Sequence, residues 1–331
     1  MKTYLVTGGT GFIGSNLIRK LLSPRHLIHV FVSPNDDLWR IKDIVHNIIV
    51  HYIDLTNLTA VSAAVMSIKP EVIFHLASFG GMPDETSQET IFKVNFYASM
   101  NLFNACKKAN FDCFINAGSS SEYGKKDVPM SEDLVLEPIS DYAVAKAAFT
   151  QFLFKEAMSN KLPVYTIRPF SVYGDRELQS RLIPTILLNL IVHKQLQLSS
   201  PHFVRDYIYI DDMVNALLAL ENKKPREAFV FNAGTGVQST IQDVIEAIQS
   251  WWPEEVAVIW GKHVPRPWEP THWAADISRS KEILQWKPQY SLTDGLARAM
   301  KWFQQNSHLY TERQMHHAKP KPDSIVQSAA Y

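Results

Sequence analysis

Near the N-terminus stands Thr7-Gly8-Gly9-Thr10-Gly11-Phe12-Ile13-Gly14, the segment that most restricts what this chain can fold into. The apolar run Tyr4–Thr7 leads into these glycines, and the helical pattern Ser15–Leu22 follows them. Gly8 then permits a tight turn, Gly11 lets backbone approach a diphosphate, and Gly14 lets helix pack closely on strand. The helix start, with Phe12 and Ile13, offers unpaired N–H groups and the positive end of a dipole to phosphate oxygens. In the first strand–helix unit of a chain this spacing points to dinucleotide binding; the alternative is a glycine-rich turn without a ligand.

The pattern continues as alternating strand and helix. Strands are predicted at Leu27–Val32, Ile48–Ile53, Val72–Leu76, Cys113–Ala117 and Val164–Arg168, and helices at Leu58–Ile68, Thr90–Ala109 and Asp141–Met158. The strands are unbroken apolar runs, as expected of parallel strands covered on both faces. An α/β fold with a doubly wound parallel sheet follows. The second half is less regular, with helices at Arg181–His193, Asp211–Leu220 and Ile241–Ser250 and strands at Tyr207–Ile210 and Phe229–Asn232. Residues 1–167 are read as the dinucleotide-binding domain, with 205–225 returning to it. Residues 168–315 are read as a smaller α/β substrate domain and 316–331 as a flexible tail.

Composition excludes several classes. Lys plus Arg total 33 against 33 Asp plus Glu, without a basic run, so no nucleic-acid partner is expected. No stretch of 18 apolar residues exists, so no membrane span is expected. Cys106 and Cys113 are the only cysteines and show no metal-ligand spacing, which predicts no metal site and fits a reducing, cytoplasmic setting.

The second predicted strand ends at Val32-Ser33-Pro34. Dinucleotide folds that take NAD usually carry an acid there for the ribose 2′-hydroxyl. Ser33 with Arg40 nearby suits a 2′-phosphate, so NADP is favoured and NAD stays open. The alternative is that Arg40 is solvated and Asp36 does the acid's work. Tyr142 and Lys146 stand four apart on a predicted helix, hence on one face. An ammonium beside a phenol lowers its pKa, making Tyr142 a general acid/base for alcohol–ketone interconversion. Ser119, Ser120 and Ser121 follow the Cys113–Ala117 strand, at the end where open α/β sheets bind ligands. Their alternative role is helix capping. His75 ends a strand and is read as a satisfied structural histidine.

Thr7–Gly14, His75-Leu76-Ala77, Asn95, Ser119, Tyr142-x3-Lys146, Arg168-Pro169 through Val172-Tyr173-Gly174, Arg205–Asp212 and Asn232-Ala233-Gly234 occur in order. Together they resemble the extended short-chain dehydrogenase/reductases, in the branch of nucleotide-sugar epimerases, dehydratases and 4-keto reductases. The resemblance implies a Rossmann-type sheet and a homodimer formed through the helices Thr90–Ala109 and Asp141–Met158. It implies Tyr142 as acid/base, Lys146 on the nicotinamide ribose, and Ser119 orienting the sugar oxygen beside Ser120 and Ser121. It further implies Asp54 and Leu55 near the adenine, Ala77 and Asn95 by the cofactor, and Arg205 and Arg266 on a sugar-nucleotide diphosphate. Dehydratases of the branch carry a glutamate where this chain has Ser121, with Glu122 one residue late, which disfavours dehydration. The loop Ser119–Gly124 and the stretch Arg168–Pro184 resemble those of 4-keto-6-deoxy-sugar reductases. Reduction is therefore favoured, with an NAD-dependent 4-epimerase as the alternative and a non-catalytic dinucleotide sensor as a lesser one.

Overall fold

The structure, a computed structural model, describes residues 1–81, 87–223, 228–261 and 270–310. Seven parallel strands form the main sheet. Six are β1 (Lys2–Thr7), β2 (His26–Val32), β3 (Ile49–Tyr52), β4 (Val72–His75), β5 (Cys113–Ala117) and β6 (Val164–Pro169). The seventh is the strand Val230–Ala233, which pairs with β6 and extends the sheet at that edge. The spatial order is Val230–Ala233, β6, β5, β4, β1, β2, β3. The chain thus builds outward from β1 in one direction, then crosses back and builds outward from β4 in the other. The doubly wound parallel sheet expected from the sequence is what the chain forms. Its switch point lies between β1 and β4, where a crevice opens beyond the carboxyl ends of the strands.

Apolar residues cover both faces of the sheet. Tyr4, Val6, Val30, Phe74, Ile115 and Ile167 pack into one core with the helices Phe12–Leu21 and Ile210–Lys223. The alternate residues Leu5, Phe31, Ile73 and Phe114 pack into a second core with Leu58–Ile68, Ser99–Ala109 and Asp141–Asn160. Phe103 and Phe149 belong to this second core, whereas Tyr97, Phe154 and Met158 are exposed on the same helices.

The long helix expected over 90–109 is three segments. Gln88–Phe92 and Ser99–Ala109 are α-helical, and Lys93–Ala98 between them is a π-helix, a rare distortion that concentrates at functional sites. Asn95 sits on that segment and grips the loop after β4: its Nδ2 donates to Phe79 O at 2.6 Å and its Oδ1 accepts from Phe79 N at 3.0 Å.

Beyond β6 the chain forms short pieces. Ser171–Tyr173 pairs with Tyr207–Tyr209, Val204–Arg205 with Ser239–Thr240, and Leu196–Gln197 with Val258–Ile259. The helices Leu182–Ile191, Ile241–Gln249 and Leu292–Asn306 bury their apolar faces in the first core. Among the described residues no helix is long and apolar enough to cross a membrane. Nor does any group of three or more His, Cys, Asp or Glu among them fit a metal ion.

Candidate active site

A cavity of about 900 Å³ opens at the switch point. That is near the top of the range of about 300–1,000 Å³ typical of ligand pockets, enough for a large ligand. The loop after β1 forms its floor. Gly8 has φ 69°, a left-handed value that favours glycine. A Cβ there would also lie 2.6 Å from Ala77 N, because the β4 loop crosses directly over it. A Cβ on Gly14 would overlap the Gly8 carbonyl. Gly8, Gly11, Phe12, Ile13 and Gly14 all line the cavity. Gly11 precedes the Phe12–Leu21 helix in extended conformation, without a side-chain cap. The first N–H groups of that helix are therefore left to serve an anion.

The adenosine side differs from the expectation of NADP. Ser33 is exposed and does not line the cavity. Arg40 does line it, but its Nε donates to Arg176 O at 2.7 Å and its Nη1 to Thr10 O at 3.1 Å. Its guanidinium also stacks on Trp39, 4.4 Å from the ring centroid. Those contacts take two of its five donors and pin the guanidinium to the backbone. Asp36 instead receives the Thr10 hydroxyl at 2.8 Å, which fixes a carboxylate against the phosphate loop. Asp36 is exposed, four residues beyond β2, and does not itself line the cavity; a carboxylate near that strand end suits a ribose 2′-hydroxyl and repels a 2′-phosphate. Asp54 is exposed and caps a turn through Thr56 N, and Leu55 packs against the second core. Ala77 N donates to Thr7 Oγ1 at 3.3 Å; its neighbours Leu76 and Ser78, not Ala77 itself, line the cavity.

Tyr142, Lys146 and Ser119 line the same cavity from the opposite wall. Ser140 caps the Asp141–Asn160 helix by accepting from Ala143 N, so Tyr142 falls in its first turn and Lys146 one turn later. Lys146 is 4% exposed, donates to Ala117 O at 2.8 Å, and lies 5.9 Å from the centre of the Tyr142 ring. Burial lowers its pKa to about 8, against a partial opposing pull from Glu122. Ser119 Oγ accepts from Ser121 N at 3.1 Å and lies 2.7 Å from Ser121 Oγ. It also caps the short helix Ser120–Tyr123 in a capping box with Glu122. The serines thus take the capping role while Ser119 still faces the cavity. Ser120 is buried, and neither it nor Ser121 lines the cavity.

Glu122 is fully buried. Its Oε1 accepts from Ser119 N at 2.8 Å and from Thr150 Oγ1 at 3.2 Å, and its Oε2 accepts from Arg168 Nε at 2.9 Å. So placed, it is spent on structural contacts inside the protein, in keeping with a residue one position out of register for a dehydratase's acid. His75 is buried as well, with Nδ1 2.7 Å from Thr7 Oγ1 and Nε2 2.8 Å from Ser99 Oγ. Burial lowers its pKa to about 3, so it stays neutral and structural.

Arg205 lines the far end of the cavity. One of its donors goes to Val204 O at 2.6 Å, and its guanidinium lies 5.8 Å from the centre of the Trp273 ring. Its neighbour Asp206 accepts from Thr235 N, Thr235 Oγ1, Gly236 N and Ala275 N. Arg266 lies outside the described residues. Sequence reasoning assigned no role to Glu177, Leu178, Arg181, Phe203 or Tyr207, which line the remaining walls. They come from separate segments that no periodicity connects, although the stretches Arg168–Pro184 and Arg205–Asp212 contain all of them but Phe203.

The description "NAD dependent epimerase/dehydratase family" matches residues 4–234. The UDP-glucuronate 4-epimerase of Thermodesulfobacterium geofontis is 26% identical over 327 residues, spanning 93% of this chain and 98% of that protein. The UDP-glucose 4-epimerase of Mycolicibacterium smegmatis is 28% identical over 326 residues, spanning 92% and 99%. The crystal structure of UDP-glucuronic acid 4-epimerase from Bacillus cereus, in complex with UDP-glucuronic acid and NAD, superposes with a TM-score of 0.80 at 27% identity, covering 92% and 99%. These likenesses leave both the NADP preference and the 4-keto-reductase reading without support. The chain is an enzyme belonging to the NAD dependent epimerase/dehydratase family.

Proposed function

We propose that the protein is an NAD-dependent 4-epimerase of a UDP-hexose. The observation that carries this reading is the convergence of Ser119, Tyr142 and Lys146 on one cavity with the phosphate loop. The likeness to 4-epimerases over nine-tenths of the chain favours epimerisation over net reduction. The cradle fits NAD: the glycine loop and the uncapped start of the Phe12–Leu21 helix line the cavity, and Asp36, held to Thr10, would offer an acid to the adenosine ribose. Gly8, Gly11, Phe12, Ile13 and Gly14 would hold the diphosphate, and Lys146 the nicotinamide ribose. A bound nicotinamide supplies the acceptor and then the donor of one hydride at the sugar C4.

The chain's own residues move the proton. Tyr142 takes it from the 4-hydroxyl as the C4–H bond breaks and returns it when that bond reforms on the other face. The buried Lys146 ammonium stabilises the phenolate that accepts this proton; Tyr142 is a neutral phenol while the keto sugar exists and a phenolate again once the proton is returned. Ser119, held by Ser121, orients the sugar oxygen by hydrogen bonding. Arg205 offers a cation to the sugar-nucleotide diphosphate.

Such a reaction consumes no cofactor, so the dinucleotide should stay with the protein. Purified protein, denatured and examined by mass spectrometry, is expected to release NAD or NADH near one equivalent per chain. Protein that emerges empty and binds NADPH more tightly than NADH would contradict the reading and restore the reductase.

A further inference from the structure

The proton transfers above leave one cavity carboxyl unused. Glu177 is 7% exposed and lines the cavity. Among the described residues its carboxyl accepts one long hydrogen bond, from Gly174 N at 3.4 Å. The turn that carries it is fastened to the phosphate loop at two points. Asn16 Nδ2 donates both to Phe12 O at 3.0 Å and to Asp175 O at 2.9 Å. Arg40 joins Thr10 O to Arg176 O. The turn that carries Glu177 is therefore tied to the phosphate loop and its helix, and Glu177 lines the same cavity as Phe12 and Ile13, at the helix start where the free N–H groups gather.

Charged and titratable groups face it from several elements. Asp175 and Arg176 flank it in the turn, and Tyr173 precedes it on the short strand. Arg40 approaches from the loop after β2, and Arg181 from the start of the Leu182–Ile191 helix. Tyr310 donates its hydroxyl to the Glu177 carbonyl at 2.8 Å. The arginines favour the carboxylate, but Arg40 is largely spent on backbone and Arg181 Nη2 donates to Gly81 O at 2.8 Å. Burial outweighs them and raises the Glu177 pKa to about 8.

We propose that Glu177 serves as a protonated hydrogen-bond donor to a diphosphate held in this cavity, so that the diphosphate and one proton bind together. The inference rests on the NAD and sugar-nucleotide reading above. An ionised carboxylate would face phosphate oxygens of like charge in a poorly solvated site, whereas the acid form supplies an O–H to them. The diphosphate belongs either to the dinucleotide or to the sugar nucleotide. By linkage, affinity should fall about tenfold for each pH unit above the Glu177 pKa.

The test compares the wild type with Glu177→Gln, which keeps the shape and a donor but cannot ionise. Two arms use the protein as purified: UDP titrated by calorimetry at pH 7 and pH 9, and NAD retained after desalting at the same pH values. Lys146 lines the same cavity and titrates in the same range, but it is present in both proteins and cancels in the comparison. In one arm the wild type should weaken about tenfold more than the variant between the two pH values. Calorimetry in two buffers of different ionisation enthalpy should show about one extra proton taken up by the wild type at pH 9. A response in the UDP arm assigns the contact to the sugar nucleotide; one in the NAD arm assigns it to the cofactor. Equal pH dependence in both proteins, with both ligands bound, overturns the inference and leaves the proposed function standing. Failure of the wild type to bind UDP or retain NAD at pH 7 overturns the functional reading, and this inference with it; loss of both ligands by the variant alone overturns only this inference, which expects the Gln amide to replace the donor.

Discussion

Tyr142→Phe is expected to lower turnover by about 10²- to 10⁴-fold, the range lost when a positioned general acid/base is removed. The bound dinucleotide should be unaffected, because the glycine loop, not the phenol, holds the diphosphate. The substitution deletes one oxygen in the first turn of the Asp141–Asn160 helix and leaves Lys146 anchored to Ala117 O. The fold should therefore be unchanged by circular dichroism and thermal melting. Comparing epimer formation with NAD content in the same preparation separates the two effects. Normal turnover in the variant would remove Tyr142 from the chemistry. Loss of NAD together with turnover would mean that the residue acts in binding.

The largest effect on stability should come from Glu122→Ala. Arg168 is 2% exposed, and its Nε is held by the Glu122 carboxylate; among the described residues its Nη1 has no hydrogen-bond partner. Stripping one partner from a buried ion pair typically costs about 3–5 kcal/mol, because the remaining charge is left unpaired. A folded domain has only about 5–15 kcal/mol in total. Ser119 N and the Thr150 hydroxyl lose their acceptor at the same time. Chemical denaturation should show a large fall in midpoint, while Glu122→Gln, which keeps a carbonyl for Ser119 N, should fall less. A catalytic acid would behave in the opposite way, with activity lost and stability intact. An unchanged midpoint in Glu122→Ala would overturn the structural account of this residue.

The parts of the fold readable in the sequence are those set by local patterns. β5 at Cys113–Ala117 and the helix Leu58–Ile68 coincide with the predicted spans, because an apolar run and a regular period fix them. The Tyr142–Lys146 pair was legible because four residues of helix put both side chains on one face. The π-helical turn at Lys93–Ala98 leaves no mark in an apolar period, so one uninterrupted helix was expected there. The helix Leu292–Asn306 was not anticipated, although Ser291 and Asp294 carry an N-terminal capping signal.

Contacts between distant segments account for the remaining differences. Arg40 looked available in the sequence, since nothing local reveals that Thr10 O and Arg176 O take its donors. Asp36 comes three residues after the position at which an acid is usually sought, and the turn closed by Asp36 N on Ser33 O brings it back to Thr10. Glu122 stood only one residue out of register for a dehydratase's acid, and its structural role was hidden because its partner Arg168 is 46 positions away. The substrate half of the cavity joins Gly81, Arg181, Phe203 and Arg205, residues that no periodicity connects.

The central claim is that one hydride leaves C4 and returns to the same sugar. UDP-glucose and UDP-glucuronic acid, each carrying deuterium at C4, can be incubated with the protein as purified and without added cofactor. The account predicts that the C4 epimer of at least one sugar appears by NMR with deuterium retained at C4 and no net change in nicotinamide absorbance. Product that forms only as added NADPH is consumed, or an epimer whose C4 deuterium has exchanged with solvent, would contradict it.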